Sequence, residues 1–573
     1  MTSCLSRRSI LISLGGAADP VKERQITALN FLSVLRARNQ RHRLRRYRRA
    51  AAKLSSNGDP YRHFRLFNTL SITPLYSDQR GEDAQVVDSK IELCIRQRLV
   101  QWTMSSPFLA DLMLAAADRR ITITAGVPPV WRKVLTAEGV SLRGFKSAIS
   151  WWHCRGRMLL QGVRRYAQLL MYSWSDQGPW GELSGPLVLV NADSWQVGQD
   201  SPSRERRRDT TNWLLDRYPE AKKIGLAIQL PRHKARKLTE KLWIAPEAFP
   251  PLTSTACRFE FMLKGGFSIA RACLSFANGN WWRMVFIRDR IEELYFSLMM
   301  NRIAHAYLFC NPRYEYRPYW TYRAERAGAN IKFLFYSANA RQFGPGMKTP
   351  PVAPGYSVMD WPDVLVWDDI LGKFLREASG KSLRTEAVGP IDYSDSDDPD
   401  PVPQSAAVAV FDVTAFQPCL LAARGFPDSY YSQRVLRKFI DDVSQCLEEA
   451  GLIMLYKRKR SMIRLAGTAY RRKVEEVSSR RNTVLVSPAI SARRVIQCSI
   501  ATIAIPYTST ALIGQALDVP SVYYDPDGTL ERDRSLSHGV PVLQSRTELA
   551  AWIAMIATKA AAEKSTFGYS DRP

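Results

Sequence analysis

Three consecutive hydroxyl residues, Thr508-Ser509-Thr510, stand where an apolar run gives way to a helix-forming one. The run Ser499–Ile505 carries Ile500, Ile503 and Ile505, β-branched residues of the kind buried strands prefer. Pro506 ends it, Tyr507 to Thr510 make the turn, and Ala511–Leu517 reads as the helix that follows. A turn of this kind gathers backbone N–H groups and hydroxyls at a helix N-terminus, where the peptide dipoles favour an anion. The same residues also suit a Ser/Thr N-cap on a purely structural helix, and the sequence leaves both readings open. A second polar group lies at another strand end, where Leu452–Tyr456 runs into Lys457-Arg458-Lys459-Arg460. A third is Asn191-Ala192-Asp193, directly after the apolar run Leu187–Val190. Asp525 follows the run Ser521–Tyr524 and either faces a ligand or caps a turn with Pro526.

The chain that must position these residues has 573 of them, too many for one core, so two or more domains are expected. With 46% hydrophobic residues, 15 Trp and 23 Tyr it is not a disordered chain. The net charge of +27 is uneven: residues 1–60 hold thirteen Lys/Arg against three Asp/Glu. Such a surface attracts nucleic acid, anionic lipid or phosphorylated substrates. Nine dispersed Cys without a CxxC point to reduced thiols in a cytoplasm. The six His are dispersed as well, so no zinc or other metal site is expected. Asp395-Ser396-Asp397 has the letters of a metal-binding DxD but lies in an acidic stretch and reads as solvated. Ser6-Arg7-Arg8 echoes a twin-arginine export signal, but the apolar segment after it is short and charged residues follow at Asp19 and Lys22, which argues against export. No run of about 20 apolar residues is long enough to cross a membrane.

Four regions follow along the chain. Residues 1–59 form a basic arm with eight arginines between Arg36 and Arg49. Residues 60–380 alternate helical and strand signals. Helices are expected at Lys90–Trp102, Gly144–Trp174, Ile269–Phe276 and Leu294–Ala306, with Lys264–Ser268 as a glycine turn and Trp152, Met158 and Val163 among the core positions of the long helix. Strands are expected at 121–124, 187–190, 224–228, 306–310 and 332–337, with Trp361–Trp367 after them. Residues 381–405, with the acidic, proline-containing Tyr393–Val402, form a linker. In residues 406–573, runs such as Ala407–Phe411 and Leu452–Tyr456 alternate with helices such as Ser429–Ala450. That alternation implies a parallel, doubly wound α/β sheet with right-handed crossovers.

The segment around the hydroxyl turn resembles the C-terminal part of the bacterial surface-polysaccharide biosynthesis proteins known for a Pro-Phe-Thr-Ser motif. The motif stands here as Ile505-Pro506-Tyr507-Thr508-Ser509-Thr510, with Tyr507 in place of the phenylalanine. Ser487-Pro488 upstream and Pro520–Pro526 downstream fit as well, as do the tyrosine-rich Asn311–Trp320, the strand end Tyr336–Asn339 and Trp361–Trp367. The likeness spans roughly residues 300–560. It implies two Rossmann-like domains facing a cleft, as in the GT-B glycosyltransferases, with a nucleotide-sugar donor held by the C-terminal domain as substrate, no separate cofactor, and a glycan or lipid-linked acceptor on the N-terminal side. On that reading Lys457, Arg458, Pro506, Tyr507, Thr508, Ser509, Thr510 and Asp525 form the donor and phosphate site without a metal, and Asp193 is the base that takes the acceptor proton, ahead of Asp118 and Glu182. The protein would be cytoplasmic, and its basic arm either docks on the anionic inner face of the plasma membrane or is a solvated tail.

Two other readings remain. A catalytically silent scaffold of polysaccharide assembly explains the same resemblance. A nucleic-acid-binding protein explains the arginine arm, but no RNA-binding run, zinc finger or helix-turn-helix accompanies it, so nucleic acid is not the expected partner.

Overall fold

The apolar runs of the first half become a single sheet because each is buried on both sides. The structure is a computed structural model describing residues 82–566, apart from 106–107, 109–110, 113–114, 116–119, 176–178, 184, 193–209, 232, 277–279, 300–301, 311–313, 336–337, 339–342, 344–351, 390–405, 416–429, 459–465, 488–489 and 533. The basic arm, the acidic Tyr393–Val402, Asp118 and Asp193 therefore lie outside the described residues.

Eight strands form the first sheet: β1 (Leu187–Val190), β2 (Leu226–Gln229), β3 (Arg236–Thr239), β4 (Leu242–Ala245), β5 (Ala306–Phe309), β6 (Asn330–Leu334), β7 (Asp363–Val366) and β8 (Arg384–Ala387). Their order is β3-β4-β2-β1-β5-β6-β7-β8, parallel throughout except for the β3–β4 hairpin. The strand residues divide alternately between two apolar layers, as the two-residue period of a strand requires. Val188 and Val190 join a cluster with Phe261, Ile291, Trp320 and Leu375. Leu187 and Leu189 join a separate one with Leu214 and Ala221. Burial on both faces is what makes such strands read as unbroken hydrophobic runs.

The first layer is built by helices α1 (Glu82–Ser105), α2 (Gly144–Tyr172), α3 (Thr255–Leu274), α4 (Trp282–Ser297), α5 (Trp320–Arg326) and α6 (Asp369–Ser379) with their neighbours. The tyrosine-rich segment locks α1 in place: Arg98 of α1 pairs with the buried Asp289 at 3.0 Å, and its guanidinium lies 3.8 Å from the Tyr316 ring centre. The Arg317 backbone N–H donates to Gln97 Oε1 at 3.1 Å, and its guanidinium donates to the carbonyl of Asp360 at 3.0 Å.

The second sheet takes β9 (Ala407–Phe411), β10 (Ile453–Lys457), β11 (Thr483–Val486), β12 (Ala501–Ala504), β13 (Ser521–Tyr524) and β14 (Val542–Leu543) in the order β11-β10-β9-β12-β13-β14. All its pairs are parallel. In chain order this is 3-2-1-4-5-6, the dinucleotide-fold order, which reverses direction between its first and fourth strands. Helices α7 (Gln433–Glu449), α8 (Thr468–Ser478), α9 (Ser509–Ala516) and α10 (Arg546–Thr566) complete its core. The chain thus folds as two doubly wound, Rossmann-like α/β domains. They meet at strand carboxyl ends: Ala338 and Trp367, which follow β6 and β7, belong to the core of the second domain.

Several sequence expectations are corrected. The first sheet continues through β8 at 384–387, inside the stretch expected to be linker; Arg-Thr-Glu-Ala is an edge strand with no apolar pattern to announce it. Lys264–Ser268 is not a turn, since α3 runs straight through it, and Gly265 serves close packing: a Cβ there would stand 2.5 Å from the Tyr166 ring. The helix expected at 294–306 ends at Ser297. The strand expected at 121–124 is a single bridge from Ile123 to Leu142. In α2, Trp151 and Met158 are core residues, but Trp152 and Val163 are exposed, at 52% and 37%.

Candidate functional site at the carboxyl edge of the second sheet

Where the strand order of an open parallel sheet reverses, the loops leaving the two adjacent strands part in opposite directions and leave a crevice. Here that place lies between β9 and β12. Three of the sequence-derived groups arrive at this edge. Lys457, Phe411 and Ala504 are lateral neighbours across β10, β9 and β12, so Lys457 stands two strands, about 10 Å, from the residue that begins the hydroxyl corner.

The corner is held by tyrosines. Tyr507 takes a positive φ of 61°, which turns the chain from strand into α9. Its ring is buried, and its hydroxyl donates to the carbonyl of Glu531 at 3.0 Å. Tyr431 donates to the Pro506 carbonyl at 2.8 Å and Tyr523 to the Thr508 carbonyl at 2.7 Å. With its carbonyls fixed in this way, the corner leaves its N–H side at the start of α9. Thr508 occupies the N-cap position but makes no capping bond. Its hydroxyl turns back to the carbonyl of Ile505 at 3.0 Å instead. The N-cap reading of the sequence therefore does not describe this helix. Its first-turn amides, which have no partner within the helix, are not satisfied by a Thr508 side chain, and Thr508, Ser509 and Thr510 are half-exposed.

Asp412 was missed in the sequence, where a lone carboxylate after a strand carries no motif. It follows β9 at the switch point and is buried, at 3% exposure. One oxygen, Oδ2, accepts from Tyr456 at 2.7 Å and from Tyr470 at 2.5 Å. The other, Oδ1, has no partner among the described residues. Burial pushes this carboxyl up to about 7, against the opposing pull of the Tyr470 and Tyr456 hydroxyls and the Arg458 charge. A carboxyl poised there can accept from a hydroxyl or, protonated, donate to an oxyanion. Arg458, half-buried beside it, also keeps a buried Nε with no partner among the described residues. An unpaired buried carboxylate oxygen costs about 1–3 kcal/mol, and at the carboxyl edge of the sheet a polar ligand would satisfy it.

Of the remaining sequence candidates, Lys457 is buried at the end of β10. Asp525 caps a turn: Tyr430 donates to its Oδ1 at 2.7 Å, and the amides of Asp527 and Leu530 to its two oxygens at 3.2 and 2.8 Å. Glu182 is exposed and paired with Lys237 at 2.8 Å.

The first domain closes over the corner with aromatic and charged contacts. Phe343 sets its ring edge-on to Tyr507 at 4.8 Å and to Tyr431 at 5.4 Å. Asp368, at the end of β7, caps α6 through the amide of Leu371 and also bonds the His538 imidazole of the second domain. Burial raises the Asp368 carboxyl, but the His538 bond and the amides of Leu371 and Ile370 hold it below its ordinary value.

The fold and the site define a class: a protein of two Rossmann-like domains in which a helix without a side-chain cap starts at the switch point of the second. Residues 266–553, half of the chain, match the family described as polysaccharide biosynthesis PFTS motif protein, and the chain belongs to that family. No functionally curated protein matches the sequence. Among solved structures, the chain is similar to a UDP-GlcNAc 2-epimerase from Methanocaldococcus jannaschii (7% identity over 48% of this chain and 74% of that one, TM-score 0.30). It is also similar to a UDP-glucose:anthocyanidin 3-O-glucosyltransferase in complex with UDP (11%, 67% and 92%, TM-score 0.34). A third is Os79 from O. sativa in complex with UDP and deoxynivalenol-3-glucoside (13%, 61% and 91%, TM-score 0.31). At such TM-scores these likenesses carry no argument, and the fold rests on the chain's own two sheets.

Proposed function

We propose that the chain is a glycosyltransferase of bacterial surface-polysaccharide biosynthesis, acting in the cytoplasm. It takes a nucleotide-activated sugar at the carboxyl edge of the second domain and passes the sugar to a glycan or lipid-linked acceptor on the first. The observation that carries this reading is the uncapped start of α9 at the β9/β12 switch point, beside the buried, unpaired Oδ1 of Asp412. In the transfer, the bond from the anomeric carbon to the donor phosphate breaks and a bond from that carbon to the acceptor oxygen forms. The leaving nucleotide keeps the electron pair, and the acceptor proton passes to a base. The growing negative charge on the phosphate is met by the α9 amides, Thr508, Ser509, Thr510 and the cations Lys457 and Arg458. Asp412 binds a hydroxyl of the donor. Asp193 is the proposed base, three residues past β1, whose neighbour β5 opens the other switch point of the first sheet.

The test is a thermal-shift panel of CMP, UDP, GDP and dTDP sugars. A ligand bound at 100 times its Kd adds about 2.7 kcal/mol to folded-state stability. One nucleotide class is expected to raise the melting temperature of the wild type and not that of the Arg458→Met variant. A silent scaffold predicts no shift with any of them.

A further inference from the structure

Helix α2 has two apolar faces, and the core uses only one. Trp151, Cys154, Met158, Gly162 and Leu169 point into the protein. At about 100° per residue, Phe145, Ile149, Trp152, Leu160 and Met171 fall on a second stripe, roughly opposite, and each is more than half exposed. Helix α3 repeats the pattern with Phe259, Leu263, Phe267 and Leu274, exposed at 50–68%. The helices run antiparallel: Tyr166 bonds the Met262 carbonyl at 2.8 Å, the Trp152 ring meets Phe276 at 4.7 Å, and Arg258 lies over Trp174 at 4.8 Å. The two stripes therefore join at both ends into one surface. Of the sixteen large apolar residues found exposed, seven lie on α2 or just past it and five on α3, so the exposure is a patch and not scatter.

The charges of the two helices are basic with one exception. No Asp or Glu occurs in the 29 residues of α2, and the single one in α3, Glu260, is paired with Lys264. Lys146, Arg157 and Arg164 line one side of the α2 stripe and Arg271 lies in the same relation to that of α3, all exposed. A second copy of the chain seated on this face would bring like charges together. An anionic lipid surface complements it, with apolar side chains entering the headgroup boundary and cations meeting the lipid phosphates. Trp152 and Trp174, aromatic residues of the type that favour membrane interfaces, lie about 33 Å apart along the helix direction, so α2 would rest flat on the surface. No described helix is long and apolar enough to cross a membrane.

We propose that the paired faces of α2 and α3 dock the protein on an anionic bilayer surface. This site is separate from the basic arm and holds whether or not the chain transfers sugars. The test is co-sedimentation of the full-length protein with vesicles of phosphatidylglycerol and phosphatidylcholine, against vesicles of phosphatidylcholine alone. Two variants are compared: L160E/F267E, which puts acids on the patch, and a variant with Arg45, Arg46, Arg48 and Arg49 changed to Gln, which weakens the arm. Both patch residues are exposed, so circular dichroism of L160E/F267E should match the wild type. The wild type should bind the anionic vesicles, L160E/F267E should lose at least about tenfold in partitioning, and the arm variant should retain most of its binding. The proposal fails if the wild type ignores anionic vesicles, or if L160E/F267E binds as well as the wild type. It also fails if the patch substitutions act only by dissociating a dimer.

Discussion

Replacing Asp412 by Asn removes a buried charge while keeping an oxygen for Tyr456 and Tyr470. In the folded protein the carboxyl is raised from 3.8 to about 7 by burial, so between those two values the native state binds a proton that the unfolded state has released. Stability therefore falls as pH rises through that window, and the full cost is present above the folded value. Three pH units correspond to about 4 kcal/mol at 1.36 kcal/mol per unit, which for a domain of this size is roughly ten degrees in Tm. The assay is thermal unfolding of the ligand-free wild type and Asp412→Asn at matched ionic strength between pH 5 and 8. Two of those units lie within the assay, so the difference in Tm, variant minus wild type, should grow between pH 5 and about 7 by the equivalent of about 3 kcal/mol and level off above it. A difference that stays constant from pH 5 to 7 would show that Asp412 is already ionised at pH 5, and the case for an orphaned carboxyl raised by burial at the switch point would collapse.

Other substitutions probe the elements around the site. Tyr507→Phe loses the bond to the Glu531 carbonyl but keeps the ring against Phe343, so it should cost about 1 kcal/mol by chemical denaturation and leave nucleotide affinity nearly unchanged; Tyr507→Ala should abolish binding. Gly265→Ala forces a methyl to 2.5 Å from the Tyr166 ring and should destabilise the first domain by about 1–3 kcal/mol, seen as a lower melting transition. Arg165→Met strands Glu247, which it now meets at 2.6 Å, and leaves Glu292, now 2.8 Å away, with Arg288 alone at 3.2 Å, with an expected loss of about 3–5 kcal/mol. The Asp368 carboxyl is held below its ordinary value in the folded protein, so its stabilising contribution is present above its unfolded value and disappears as pH falls through the folded one. Asp368→Asn should accordingly be less stable than the wild type at pH 7, by a margin that shrinks on acidification, as unfolding curves would reveal.

The second domain was legible because its strands are short unbroken apolar runs between amphipathic helices, and Ala407–Phe411 and Ala501–Ala504 proved to be neighbours at its centre. The hydroxyl corner was legible as a motif, but its meaning was not. Only the structure shows the Thr508 hydroxyl turned away from the helix it precedes. Asp412 gave no signal, because its significance depends on the sheet order and on Tyr470, 58 residues away in sequence. The β3–β4 hairpin was missed since Arg236–Thr239 is exposed and polar. Gly265-Gly266 misled because glycine serves a close helix crossing as readily as a turn. Trp152 misled in the opposite sense: helical spacing identifies an apolar stripe, and α2 has two.

The most direct measurement of the central claim is calorimetric titration of nucleoside diphosphates into the wild type and into a variant with Ala at Thr508, Ser509 and Thr510. If the start of α9 holds the donor phosphates, one diphosphate should bind the wild type and the triple variant should lose at least about tenfold in affinity, with the corresponding nucleoside binding weakly to both. Equal affinity of the two proteins for that diphosphate would contradict the account.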